Sequence, residues 1–273
     1  MWMQILAAAG YPVLGERFPR DWGATIRAAN RRGFFESPLR HGIVPEKSRH
    51  PETGANLAPE ATRGVAVKVF AAGLARTPLA YVERVIASLR HHREYELSLA
   101  RLYTMEQANK LARAERRGRS REVLPSRAQP PAALEWWNDN FSLIRDARAR
   151  GYPLRLISYS AVLRDVRGEL GATLGWLGGG ALEPAIAAVN GALRTQQVEI
   201  GAEAPSGIEP EHEAVFEELY ARVDEGQGVD ERFMGRMQAV HDQLAPRIAA
   251  ALKSVREERR RARERARRAL GKG

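Results

Sequence analysis

The stretch from Tyr81 to Tyr103, YVERVIASLRHHREYELSLARLY, constrains the fold most, because the spacing of its apolar residues changes in the middle. Val85 and Ile86 belong to a β-branched run that is typical of a buried strand. From about His92 onward the apolar residues recur at helical spacing, as Tyr95, Leu99, Leu102 and Tyr103. The sequence therefore predicts a strand that passes through a short loop near Arg90 into a helix.

A junction of this kind favours an anion. Ligands bind at the carboxyl ends of the strands in an open parallel sheet, and the free amide groups at the start of a helix attract negative charge. Arg90 lies in the predicted loop, and Ser98 follows eight residues later, about 12 Å along the axis if the whole segment were helical. Both side chains reach one phosphate only if Arg90 is still in the loop. The alternative is a surface arginine and a solvated serine.

The segment VIASLRHHREYELSLARL resembles the part of sulfotransferases that binds the 3′-phosphate of 3′-phosphoadenosine 5′-phosphosulfate, a strand followed by Arg, seven residues and Ser. Further segments resemble the same family in the same order. They are LAAAGYPVLGERF with NRRGFFE, then VAVKVF, then LISYSAVLRDVRGELGATLGWLGG. Together the four regions lie within residues 1–197, so the resemblance covers most of the chain.

The resemblance implies an α/β fold, a P-loop-like layered domain with a central parallel sheet flanked by helices. Family members begin with a strand and a glycine-rich loop that binds the 5′-phosphosulfate. The opening residues MWMQILAAAG resemble the helix directly after that loop, so we expect the first strand and the P-loop to be absent from residues 1–273. We expect residues 1–200 to form the sulfotransferase-like domain, and residues 201–273 to form a linker and a helical extension with an Arg-rich tail.

The resemblance also implies roles for individual residues. Arg90 and Ser98 would bind the 3′-phosphate of the co-substrate 3′-phosphoadenosine 5′-phosphosulfate, and Arg194 lies where some members carry a basic residue near the nucleotide. Lys68 would stabilise charge on the leaving phosphate. Glu16 or Glu36 would accept the proton of the acceptor hydroxyl or amine.

Each of these residues also has a purely structural interpretation. Glu16 and Glu36 could form ion pairs with nearby arginines or cap a helix, and Lys68 could keep an edge strand soluble. His91 or His92 could replace the acids as general base, because imidazole titrates near neutral pH. Adjacent histidines at a helix start are, however, commonly exposed to solvent or capping, so we rank the acids first.

The composition excludes several classes of protein. The chain has no cysteine, which removes disulfides, thiolate nucleophiles and cysteine-based zinc sites. Its six histidines show no HExxH or similar spacing, so we predict no metal. No stretch reaches the about 18 apolar residues of a membrane span, and the first residues lack the basic segment of a signal peptide. We therefore expect a cytoplasmic protein.

The net charge of +10 is concentrated at one end of the chain. Residues 253–272 contain ten basic and three acidic residues, a net charge of +7, which leaves +3 for the remainder. Such a run is usually a solvated helix or a frayed end, so nucleic acid is an improbable partner and contact with an anionic membrane remains an alternative. The second function to consider is a non-catalytic sulfotransferase-like scaffold that docks an anionic partner through this helix.

Overall fold

The computed structural model describes residues 1–18, 33–116, 128–189 and 207–269, which form a mixed α/β structure. The strands are β1 (Val13–Leu14), β2 (Ala66–Val67), β3 (Val85–Leu89) and β4 (Leu154–Ser158). The helices are α1 (Trp2–Ala8), α2 (Ala71–Leu74), α3 (His92–Arg116), α4 (Ala132–Arg150), α5 (Tyr159–Arg164), α6 (Val166–Leu177), α7 (Leu182–Ala188), α8 (Pro210–Asp224) and α9 (Glu231–Ala269).

The β3–β4 pair lies between two layers of helices. The strands are parallel, with Val85 opposite Leu154 and Leu89 opposite Ser158. Alternate side chains of β4 face opposite sides: Leu156 packs against the cluster built by α4, α8 and α9, whereas Ile157 packs against α1, α6 and α7. This part of the chain is therefore a layered α/β unit.

The predicted central sheet is present only as two parallel pairs among the described residues. β1 pairs with β2, and β3 pairs with β4, in separate sheets. β2 is short, and Phe70, three residues after its end, precedes α2 and accepts a hydrogen bond from the Leu74 amide through its carbonyl oxygen. The strand predicted before Arg90 begins only at Val85, because Tyr81 belongs to a 3₁₀ turn.

α4 begins after Pro131 and ends before Gly151, whose φ of +74° is the left-handed conformation that closes a helix. Its apolar stripe is buried, and the rings of Trp137 and Phe141 have no exposed surface. The aromatic residues of this helix therefore form core.

α8 and α9 pack against that stripe, so the hydrophobic core extends across the boundary expected near residue 200. Phe216 of α8 stacks on Trp137 with ring centroids 4.6 Å apart and planes 6° from parallel. Phe233, Met237 and Leu244 of α9 are fully buried in the same cluster. The helical extension thus helps to build the core beneath β3 and β4.

The basic end of the chain differs from the expectation that it projects into solvent. α9 is continuous through Pro246, and Val255 and Ala262 beyond it are buried. Arg259 donates a hydrogen bond to Gln129, 3.1 Å away. One face of the basic segment therefore packs on the protein, because two small apolar residues seven positions apart lie on one side of the helix.

Within the part of the chain that the structure describes, every helix is too short or too polar to cross a membrane.

The packing of α8 on α4 predicts a large effect of Phe216→Ala. Deleting a fully buried aromatic ring should lower the free energy of unfolding by about 3–5 kcal/mol, measured by urea denaturation. Leu97→Ala, at a helix position that is 52% exposed, is the control and should change it by no more than about 0.5 kcal/mol. Equal effects of the two substitutions would show that α8 does not form part of the core.

Candidate functional site

Arg90 occupies the position that the sequence predicts for it. β3 ends at Leu89 and α3 begins at His92, so Arg90 lies in the loop at the carboxyl end of the strand. Its Nη1 atom donates a hydrogen bond to Oγ of Ser98, 3.0 Å away, on the second turn of α3. The two side chains therefore meet across this junction.

The loop that carries Arg90 is held from two sides. The indole Nε1 of the buried Trp136 donates a hydrogen bond to the Arg90 carbonyl oxygen, 2.9 Å away. The guanidinium lies over the ring of Tyr159, 4.9 Å from its centroid, an arrangement that favours a cation electrostatically. Tyr159 follows β4, so both strands of the sheet place a side chain here.

Lys68 lies directly after β2 and belongs to an ion-pair network. Its Nζ atom is 2.8 Å from Oε1 of Glu36, and Arg40 lies 3.5 Å from the other oxygen of that carboxylate. The Glu36 side chain is only 11% exposed. Glu36 therefore forms ion pairs with Lys68 and Arg40.

The two candidate bases, Glu16 and Glu36, lie on paired backbone segments. The amide of each donates a hydrogen bond to the carbonyl oxygen of the other, at 3.0 and 3.2 Å. Phe35 has a φ of +52°, a left-handed conformation that is unusual for a residue with a Cβ atom. Glu16 is exposed. The structure thus pairs the backbones of the two acids, but the Glu16 side chain is exposed whereas that of Glu36 is largely buried.

The positive charges of Lys68 and Arg90 both act on the amino group of Met1, the residue before α1. The pKa of the Met1 amino group is lowered to about 6, mainly because the group is buried and also because of the positive charges of Lys68 and Arg90.

His91 and His92 differ from the expectation of solvent-exposed or capping residues. His92 is fully buried and His91 is 8% exposed, with their rings stacked at 4.7 Å. Nε2 of His91 lies 2.7 Å from Glu217, and Nε2 of His92 lies 2.9 Å from Glu213. Burial lowers the pKa of His92, whereas the two carboxylates oppose that shift. The histidines are buried because α8 covers the start of α3.

His91, His92 and Glu217 form a group that could hold a metal ion. One ligand atom from each lies within 4.8 Å of the other two. Sequence reasoning missed this group because the two histidines are separated from Glu217 by more than 120 residues, and no local spacing links them. The pair HH, next to a predicted anion site, was the only sequence signal.

Trp136 and Tyr159 were also missed as parts of the site. Trp136 reads as core from its helical spacing, and its ring is indeed buried, but its indole N–H supports the Arg90 loop. Tyr159 could have been found, because it follows a predicted strand whose carboxyl end faces the ligand side. Arg194 lies outside the described residues.

Models of known protein families, curated proteins and solved structures were compared with this chain, and none of them matches it.

Beside Trp136, the carboxyl group of Glu135 has an unusual environment. Burial and the nearby charge of Asp139 raise the pKa of Glu135, although the Tyr95 hydroxyl donates a hydrogen bond to it at 3.3 Å. Its second oxygen is buried without a hydrogen-bond partner. A perturbed carboxyl group of this kind marks either a functional acid or a local loss of stability.

This raised pKa predicts how Glu135→Gln changes stability with pH. A carboxyl whose folded pKa lies above its unfolded pKa contributes its stability below the unfolded pKa and loses it as the pH rises through the folded pKa. Glu135→Gln should therefore stabilise the protein more at about pH 8 than at about pH 5, by urea denaturation. The exposed Glu211→Gln should show no such trend. A stabilisation by Glu135→Gln that is the same at both pH values contradicts the prediction.

Proposed function

We propose that this chain is a sulfotransferase that transfers a sulfuryl group from 3′-phosphoadenosine 5′-phosphosulfate to an acceptor hydroxyl or amine. The observation that carries the proposal is the hydrogen bond between Arg90 and Ser98 at the carboxyl end of β3. This pair was predicted to converge from the resemblance of its segment to the 3′-phosphate-binding segment of sulfotransferases. The layered β3–β4 unit, with helices on both faces, supports a P-loop-like arrangement of the sheet.

The chemistry of the pair suits a phosphate monoester. A guanidinium has five N–H donors in a planar fork, and the contact with Ser98 uses one of them. The Ser98 hydroxyl accepts that bond and keeps its own proton, which it can donate to a phosphate oxygen. Because Tyr159 and Trp136 hold the arginine loop, little ordering is needed when the anion binds.

In the proposed reaction, Lys68 acts at the other end of the donor. In the transfer, the acceptor oxygen or nitrogen forms a bond to sulfur while the bond from sulfur to the phosphate oxygen breaks, and negative charge grows on the leaving phosphate. A lysine near that oxygen stabilises the charge. The ion pair with Glu36 fixes the Lys68 ammonium at the carboxyl end of β2.

The two acids then have different roles in the proposal. Glu36 is occupied by Lys68 and Arg40, so it orients the lysine. Glu16 is exposed and lies on the backbone segment paired with Glu36. We assign Glu16 as the base that takes the acceptor proton, because an acceptor can approach its exposed carboxylate to hydrogen-bonding distance.

Binding of 3′-phosphoadenosine 5′-phosphate, measured by calorimetry, tests the Arg90 assignment. Arg90→Ala removes charge-assisted hydrogen bonds of about 1.5–3 kcal/mol and should weaken binding about 10- to 150-fold. Arg84→Ala is the matched control, since Arg84 precedes the same strand at its opposite end and pairs with Glu83. It should bind the nucleotide as the wild type does. Equal affinities of the wild type and a folded Arg90→Ala variant remove the proposed role.

A second candidate function is docking of an anionic partner by the basic end of α9. The observation that favours it is the amphipathic character of this segment, with Ala262 buried and arginines such as Arg260, Arg261 and Arg263 exposed. Replacing these three by Gln keeps the packed face and removes charge. Binding to RNA or to vesicles of acidic lipid that falls with salt and is lost in this variant would support the scaffold function. Binding that is insensitive to both changes contradicts it.

A further inference from the structure

The ring of His92 is held in an orientation that leaves one nitrogen unused. The side chain has no exposed surface, and its Nε2 atom lies 2.9 Å from Oε1 of Glu213. Its Nδ1 atom is buried without a hydrogen-bond partner and lies 3.4 Å from Oε1 of Glu217. A buried ring nitrogen therefore points at a carboxylate oxygen from beyond normal hydrogen-bonding distance.

The tautomer of the His92 ring explains why its Nδ1 atom lacks a partner. Nε2 faces the Glu213 carboxylate, which accepts hydrogen bonds only, so Nε2 carries the proton. In the neutral ring Nδ1 then presents a lone pair to an oxygen of Glu217 that also carries lone pairs. Two electron-rich atoms then face each other. A cation between them would remove the repulsion.

His91 supplies a third ligand at the same point. Its Nε2 atom lies 2.7 Å from Oε2 of Glu217, and its ring stacks on that of His92. Glu217 therefore faces both histidines, one through each oxygen. One ligand atom of each residue lies within 4.8 Å of the other two. Glu217 comes from α8, His91 from the loop before α3, and His92 is the first residue of α3.

We propose that His91, His92 and Glu217 bind a divalent transition-metal ion of the zinc type. Zinc–ligand distances of about 2.0–2.2 Å place the ligands of a tetrahedral site about 3.3–3.5 Å apart. The separation of 3.4 Å between His92 Nδ1 and Glu217 Oε1 fits this geometry as it stands. On binding, the ion takes the place of the His91 Nε2 proton, which moves to Nδ1, and the contact of His91 with Glu217 widens. The 3.3 Å contact from the Arg93 amide to His91 Nδ1 is then released.

The surroundings support a metal site in two further ways. Glu213 accepts from the opposite nitrogen of His92, the carboxylate–histidine–metal arrangement that fixes a ligand's tautomer and orientation. The Glu217 side chain is 47% exposed, which leaves a route for the ion and a fourth position for water. Two imidazoles and one carboxylate favour zinc over magnesium or calcium, which prefer oxygen ligands.

This inference is independent of the proposed sulfotransferase activity, because it concerns another ligand and other side chains. Its structural consequence is a link between α8 and the loop that carries Arg90. The ion would join residues 126 positions apart in the sequence at the start of α3. The metal and the nucleotide can therefore be tested separately.

Calorimetric titration of Zn²⁺ into the full chain, without an affinity tag and after treatment with a chelator, tests the proposal. We expect the wild type to bind one equivalent of Zn²⁺ tightly (a strong equivalent). Glu217→Gln and His91→Gln each remove a ligand and should lose that strong equivalent, whereas Glu213→Gln should weaken binding about 10- to 100-fold. Glu211→Gln, an exposed acid on the same helix, is the matched control and should bind as the wild type. Excess Mg²⁺ should not compete.

Two results would overturn the proposal. One is the lack of a strong equivalent in the wild type. The other is a strong equivalent that survives both Glu217→Gln and His91→Gln, which would place the ion on other residues. Glu217 is half-exposed, so its variant should fold, and circular dichroism of each variant checks this. The outcome therefore does not depend on substitution of the fully buried His92.

Discussion

The hydrogen bond from Arg90 to Ser98 is the contact on which the account of this protein depends. It links the loop after β3 to the second turn of α3. It can form because Arg90 lies in the loop before the helix, which begins at His92. The Trp136 indole and the Tyr159 ring hold the loop from α4 and from the end of β4. Three elements thus fix one guanidinium at the carboxyl end of a parallel strand pair, where elementary electrostatics favours an anion.

The support of this contact lies in the aromatic core beneath the sheet. Trp136 and Trp137 are consecutive residues of α4, and both contact Phe216 of α8. Trp136 also donates a hydrogen bond to the Arg90 carbonyl oxygen, whereas Trp137 stacks within the core. The same helix α8 presents Glu213 and Glu217 to the histidines that follow Arg90. Aromatic packing and the polar contacts of the two histidines therefore meet on one helix, α8.

Local features were predictable from the sequence, and contacts between distant segments were not. The change of period near Arg90 predicts the loop, because that signal lies within one segment. The position of α8 over His91 and His92 could not be predicted, since nothing in the spacing of the histidines indicates Glu213 or Glu217. Likewise, the sequence around Ala262 is a helix-forming run rich in arginine, and the burial of Ala262 depends on which distant residues pack against it. The division of the predicted sheet into two pairs has the same origin, because strand pairing is not local.

The most direct test of the central claim compares 3′-phosphoadenosine 5′-phosphate with adenosine 5′-monophosphate, which lacks the 3′-phosphate, on the wild type and on Ser98→Ala and Arg90→Ala. If Arg90 and Ser98 bind the 3′-phosphate, the wild type prefers the bisphosphate, the preference shrinks in Ser98→Ala and disappears in Arg90→Ala, and the affinity for the monophosphate stays nearly constant. Equal affinity of the wild type for the two nucleotides, or a preference that survives in Arg90→Ala, would contradict the account.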